Sequence, residues 1–246
     1  CAIDTSQLSQ GVVGASARSD ARLKFQVVKG EMSYNYDLPG DGTPIIVPIN
    51  MGDGPYTFRV MQNTSGNNYV ELFSVIDNVN LSSETAPYLV PNVFVNYNES
   101  SAVVAKAREL AQGAANQGDV VRNIYQWVVD NITYDHDKAA QLASATGYVP
   151  DPDATLAAGT GICFDYASLG AAMLRSLGIP CQVITGYVSP DDVYHAWNMV
   201  YIDGEWISVE ISIKPNSWTR VDLTFAASGA ASTIGDGTSY TDRYTY

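Results

Sequence analysis

A chain of 246 residues, 46% hydrophobic and 11% aromatic, has the makeup of a packed globular protein and the length of one large domain or of a catalytic domain with a smaller companion. Its 13 basic against 26 acidic side chains give a net charge of −13, and no Lys/Arg cluster interrupts that balance, which argues against nucleic acid as a partner. No apolar run approaches the roughly 20 residues that a helical membrane crossing requires.

The chain opens on Cys1, and residues 5–20 are polar and rich in Ser and Gly. This start resembles a bacterial lipoprotein after loss of its signal peptide. The resemblance implies lipid on Cys1, residues 1–20 as a flexible leash, and an exported protein at the outer face of the cytoplasmic membrane or the cell surface. Membrane contact is expected through that lipid alone. Apolar segments then recur at 23–28, 32–38, 44–49, 56–61, 69–79 and 88–97, separated by Pro39-Gly40-Asp41-Gly42, Gly52-Asp53-Gly54-Pro55 and the polar stretch 63–68. Short strands at this spacing predict an all-β accessory domain over 21–99.

From residue 101 the periodicity becomes helical. Val103, Val104, Ala107, Leu110 and Ala111 mark one core-facing helix. A second has Asp119 near its start and an apolar stripe of Val121, Ile124, Tyr125, Val128 and Ile132. Further on, Gly159-Thr160-Gly161-Ile162-Cys163 leads into an apolar helix ending near 177, where Gly178 suits the residue after a helix and Pro180 prevents its continuation. Apolar residues lie on more than one side of this helix, so it is predicted to be central and buried. Cys163 then sits in its first turn, where unpaired N–H groups and the helix dipole favour a thiolate.

A thiolate enzyme also needs a base, and the chain has two histidines. His195 opens an alternating run over 195–202, Asp203-Gly204 is a strong two-residue hairpin signal, and 205–211 reads as the returning strand. If Ile202 pairs with Glu205, paired numbers sum to 407. His195 then lies opposite Ser212, and Glu210 is its diagonal neighbour on the same face. A carboxylate there can orient the imidazole, completing a nucleophile–base–orienter relay. A slip of one residue would send Glu210 to the other face.

Gly161-Ile162-Cys163-Phe164-Asp165-Tyr166-Ala167, Leu174-Arg175-Ser176-Leu177-Gly178-Ile179-Pro180, Thr185-Gly186-Tyr187-Val188, His195-Ala196-Trp197-Asn198 and Trp206 form an ordered set. Together with Ile124-Tyr125-Gln126-Trp127-Val128 and Ile132-Thr133-Tyr134-Asp135 upstream, they closely resemble the core of transglutaminase-like domains, over about 101–224. The resemblance implies an α+β fold, with helices packed on an antiparallel sheet in a papain-like core, and a catalytic domain over 100–246. It also implies a triad of Cys163, His195 and a carboxylate. This chain departs from the family at the third position, with Glu210 where Asp is usual; Asp222 is the rival. The implied chemistry is acyl transfer through a Cys163 thioester, with water or an amine as acceptor. The implied substrate is a protein or peptide, cell-wall peptide included, and no metal or organic cofactor is required. The substituted acid leaves a second reading open, a non-catalytic surface-binding or adhesion module on the same fold.

Other residues have plainer readings. Asp165 is a first-turn acid suited to the helix dipole. Trp197 and Trp206, on the His195 face, shield the site or pack a core. Tyr134, Asp135 and His136 are candidates to line the cleft. No two Cys/His residues have zinc-finger spacing. A Cys163–Cys181 disulfide conflicts with a helix about 20 Å long between residues that must come within about 7 Å. The polar tail 226–246 ends in tyrosines suited to pinning it back onto a sheet.

Overall fold

The computed structural model describes the backbone of residues 1–188, 193–212, 220–225 and 240–246, and the side chains of 1–186, 195–209 and 244–246. The chain divides into two units, 1–93 and 94–246.

The first unit is built of strands β1 (Ala2–Asp4), β2 (Val12–Ser16), β3 (Leu23–Lys29), β4 (Met32–Leu38), β5 (Ile45–Pro48), β6 (Gly54–Ser65) and β7 (Asn68–Val79). They form two antiparallel sheets, ordered β1-β2-β5 and β4-β3-β6-β7. The strands expected from the apolar segments at 23–28, 32–38 and 56–61 are present, and each alternates between a buried and an outward face. Leu23, Phe25 and Val27 of β3, Tyr34, Tyr36 and Leu38 of β4, and Tyr56, Phe58 and Val60 of β6 are buried, while their sequence neighbours point outward.

Two expectations need correction. The stretch 1–20 is no leash. β2 pairs with both β1 and β5, and Val12, Val13 and Ala15 are buried, so apolar burial outweighs the Ser- and Gly-rich composition. The segment 88–97 is no strand. A single 3₁₀ turn covers Ala86–Tyr88, and Pro87 and Pro91 lack the N–H that a ladder uses. The unit boundary accordingly falls at 93/94 rather than 99/100, because Val95 is fully buried among the helices that follow and Ser168 Oγ donates to the Phe94 carbonyl at 2.6 Å.

The second unit runs α1 (Ala102–Ala111), α2 (Gln117–Asn131), β8 (Thr133–Tyr134), α3 (His136–Leu142), α4 (Pro152–Ala158), β9 (Thr160–Gly161), α5 (Cys163–Ser176), β10 (Cys181–Val188), β11 (Val193–Ile202), β12 (Glu205–Ser212), β13 (Arg220–Phe225) and β14 (Tyr240–Thr245). An antiparallel sheet of order β13-β12-β11-β10-β14 packs on α5. Every residue of α5 from Asp165 to Arg175 is buried, so the helix is central, as its apolar residues on several sides predicted. It closes on Gly178 at φ 79°, with Gly178 N–H donating to Arg175 O and Ile179 N–H to Leu174 O, which satisfies carbonyls that would otherwise be orphaned at the helix end. The tail does return to the sheet: β14 pairs with β10, and Tyr246 and Val183 exchange backbone bonds at 2.8 Å. The fold is thus α+β with a strand-rich N-terminal part. Among the described residues, no helix is long and apolar enough to cross a membrane.

Candidate active site

Cys163 is placed by the strand that precedes it. β8 and β9 pair in parallel, continued by Thr133 N–H to Gly159 O at 2.8 Å and Asp135 N–H to Gly161 O at 2.9 Å. This short ribbon holds the approach to α5 against the end of α2. Gly161 is required there, since a Cβ would stand 2.7 Å from Asp165 Cβ. Asp165 reaches back to accept the Ile162 N–H at 2.9 Å, fixing the first turn. Cys163 thus opens α5, half-buried, among the N–H groups that a helix start leaves without intrahelical acceptors.

The facing wall comes from the sheet. Cys163 and Ala167 of α5, Tyr125 of α2, His195 and Trp197 of β11, and Val209 of β12 line one small pocket. The structure therefore brings Cys163 and His195 together. Trp197 is buried and lies nearly parallel to the imidazole, 6.3 Å between centroids at 24°. The predicted register holds in all the described β11–β12 pairs, from Asn198↔Val209 to Ile202↔Glu205. The two candidate acids, Glu210 and Asp222, are directly paired positions of β12 and β13; their side chains lie outside the described residues. Trp206 stacks edge-on against Tyr201, 5.1 Å away, at the turn end of the hairpin and does not line the pocket.

Between the two walls runs a buried polar link that sequence reasoning missed. Tyr125 Oη donates to Asn198 Oδ1 at 2.6 Å, and Asn198 Nδ2 donates to Ala167 O at 3.0 Å and Gln182 O at 3.1 Å. One side chain, itself part of the pocket lining, thus ties α2, α5, β10 and β11 together. Its only sequence signal was an Asn in the buried phase of a strand. Burial holds the Tyr125 hydroxyl well above its ordinary pKa and pushes the neighbouring Cys181 thiol up to about 12. Cys181 is an inert core thiol, and both it and Cys163 are free.

Asp165 proves to be more than a dipole acid. It is fully buried and also receives Lys138 Nζ at 2.8 Å and the Tyr148 hydroxyl. Lys138 lies over the Tyr148 ring, 4.7 Å from its centroid. Burial opposes the Lys138 cation, yet its bonds to Asp165 and Tyr148 raise its pKa overall. Of the three cleft candidates, Asp135 caps α3 by accepting from Lys138 N–H at 2.9 Å. Tyr134 stands close enough for the charges of Cys163 and Asp165 to add to the burial that raises its pKa, and His136 lies edge-on to it at 4.9 Å. Among the described residues, no group of three or more His, Cys, Asp or Glu side chains could hold a metal ion.

Comparison with known proteins points the same way. Residues 104–211 match the family model of the transglutaminase-like superfamily. Cytokinesis protein 3 of Schizosaccharomyces pombe is 33% identical over 120 residues, 43% of this chain and 12% of that protein. Kyphoscoliosis peptidase of Mus musculus is 31% identical over 112 residues, 42% of this chain and 16% of that protein. This chain thus spans well under two thirds of those relatives. The crystal structure of a candidate cysteine protease from Cytophaga hutchinsonii aligns over 94% of this chain and 93% of its own, with 14% identity and a TM-score of 0.46. Residues 104–211, which carry the first-turn cysteine and the strand-borne histidine, match the core of the transglutaminase-like superfamily.

Proposed function

We propose that the protein is a cysteine-dependent acyl-transfer enzyme that cleaves or transfers peptide or side-chain amides. The observation that carries this reading is the shared pocket of Cys163 and His195. His195 holds the thiol proton, and the Cys163 thiolate, kept as an ion pair with the imidazolium, attacks the carboxamide carbon. The backbone N–H of Cys163, at the helix start, is one donor to the developing oxyanion. The C–N bond breaks, His195 returns the proton to the departing amine, and a thioester remains. Water then yields the acid, or an amine yields a new amide. Glu210 is the third member of the relay, with Asp222 its rival. Substrates are proteins or peptides, including cell-wall peptides, met outside the cytoplasmic membrane.

The test is incubation with a peptide library containing Gln, with mass spectrometry separating cleavage, deamidation and amine incorporation. Cys163→Ala should abolish every product, and Glu210→Gln should reduce turnover at least tenfold, since the residue that orients a catalytic base is worth orders of magnitude. Loss on Asp222→Asn with Glu210→Gln active would transfer the role to Asp222.

A second reading, a non-catalytic surface-binding module, is favoured by one observation. The edge strand β7 exposes Val70, Leu72, Phe73 and Ile76, more apolar surface than an edge strand usually leaves open. Under that reading Cys163 alkylates like an ordinary thiol and no peptide product forms.

A further inference from the structure

The Asp165 carboxylate presents a problem that the proposed chemistry must solve. It is fully buried, two positions along α5 from the nucleophile, where a negative charge opposes a second one on Cys163 sulfur. Its donors are the Ile162 N–H, the Tyr148 hydroxyl and Lys138 Nζ, and only the last carries charge. Lys138 arrives from α3, whose start is fixed by Asp135. Tyr148 arrives from the segment before α4, and its ring also meets Phe164, next to the thiol, at 6.5 Å. Three segments thus converge on one carboxylate in the first turn of α5.

We propose that Lys138 is a positioning residue of the thiol site: its ammonium balances the buried Asp165 carboxylate, so that the first turn of α5 favours an anion at Cys163. The proposal rests on the reading of Cys163 as nucleophile. Asp165 serves the site in two opposite ways. Its bond to Ile162 N–H shapes the turn that presents Cys163, whereas its charge works against the thiolate, and Lys138 keeps the first while cancelling the second. Removal of Lys138 leaves the Asp165 carboxylate with two neutral hydrogen-bond donors and no cation to balance a negative charge beside the sulfur. Among the described residues, the titratable groups around Cys163 are Asp165 and Tyr166 on α5, Tyr134 on β8 with His136 beside it, Tyr125 on α2 and His195 on β11. The tyrosines stay neutral below pH 9, and the two histidines are common to all the Lys138 and Asp165 variants, so a shift among these reports the Lys138–Asp165 charge.

The experiment follows iodoacetamide alkylation of Cys163 in the full chain by mass spectrometry from pH 5 to 10, with circular dichroism to verify folding. Lys138→Met should move the alkylation midpoint up by about one pH unit, and Lys138→Arg should leave it in place. Asp165→Asn should move it down, and the Lys138→Met/Asp165→Asn double variant should return it towards wild type, because the opposing charge is gone. A merely structural role predicts the reverse for the double variant, with both losses compounded. An unmoved midpoint in Lys138→Met, or a double variant that keeps its full shift, overturns the proposal. If Lys138→Met does not fold, an unmoved midpoint in Asp165→Asn does so instead. Failure of the enzymatic reading registers separately: His195→Ala then leaves the wild-type midpoint where it was.

Discussion

The hydroxyl of Tyr125 and the amide of Asn198 occupy the space that a side chain at position 170 would need. A Cβ on Gly170 would stand 2.8 Å from Tyr125 Oη and 3.1 Å from Asn198 Oδ1, and both atoms belong to the link that sets α5 against β11. Gly170→Ala should therefore destabilise the protein by about 1–3 kcal/mol through overpacking. Tyr125→Phe should cost a comparable about 1–3 kcal/mol, since it strands a buried acceptor on Asn198. The two are coupled, because Phe removes the oxygen with which the new methyl collides. In urea denaturation of the four proteins, the double variant should be more stable than the sum of the single losses predicts, and simple additivity would refute the steric account. That Cys163 opens a central helix and meets His195 in one pocket was legible in the sequence from a Cys ahead of an apolar helix and a His opening a strand. The supports were not. Tyr125 meets Asn198 across 73 residues and Lys138 meets Asp165 across 27, and sequence spacing does not report a contact made only by folding. Tyr125 matches a plain core stripe, and Lys138 falls in a short polar stretch that gives no sign of an ion pair.

At the scale of elements, the hairpin that carries His195 shows how far local chemistry can reach. Asp203 and Gly204 have φ values of 53° and 82°, the two left-handed residues that a type I′ turn requires, and this turn alone sets the register sum of 407 from which the β11–β12 pairing follows. Open space surrounds Gly204, so Gly204→Ala should lose only what the backbone conformation costs, about 1 kcal/mol, while Asp203→Asn should be nearly neutral because Asn tolerates the same region. Thermal melts of both variants check this, and a Gly204→Ala protein as stable as wild type would show that the turn does not hold the register. Elements without such a local determinant were hidden. β1 has three residues, too few for alternation to show, and β2 sits inside a Ser- and Gly-rich stretch whose composition reads as a linker. α3 and α4, at seven residues each, are shorter than the window in which helical periodicity can be recognised, although Asp135, Asp151 and Pro152 supply caps that could have marked them.

At the scale of the whole molecule, both units bury weak acids that must stay protonated. Burial pushes Tyr56 of the first unit up to about 12, and Tyr97 and Cys181 of the second likewise to about 12. Each value is raised above that of the unfolded chain, near 10.0 for the tyrosines and 9.0 for the thiol. Unfolding therefore releases protons once the pH exceeds the lower value. The sign is fixed: the stability these groups contribute is fully present below pH 9.0 and is lost as pH rises towards about 12. The formal charge of −13 at pH 7 acts in the same direction, since each further deprotonation adds to a repulsion that the unfolded chain relieves by expanding. Urea midpoints measured from pH 7 to 11 should stay level and then fall. Cys181→Ala should flatten the onset of that fall near pH 9, whatever it costs in packing at pH 7, because a cavity penalty has no pH dependence and a missing proton site does. A Cys181→Ala protein whose stability declines with pH as steeply as wild type would place the alkaline sensitivity elsewhere than in this buried thiol.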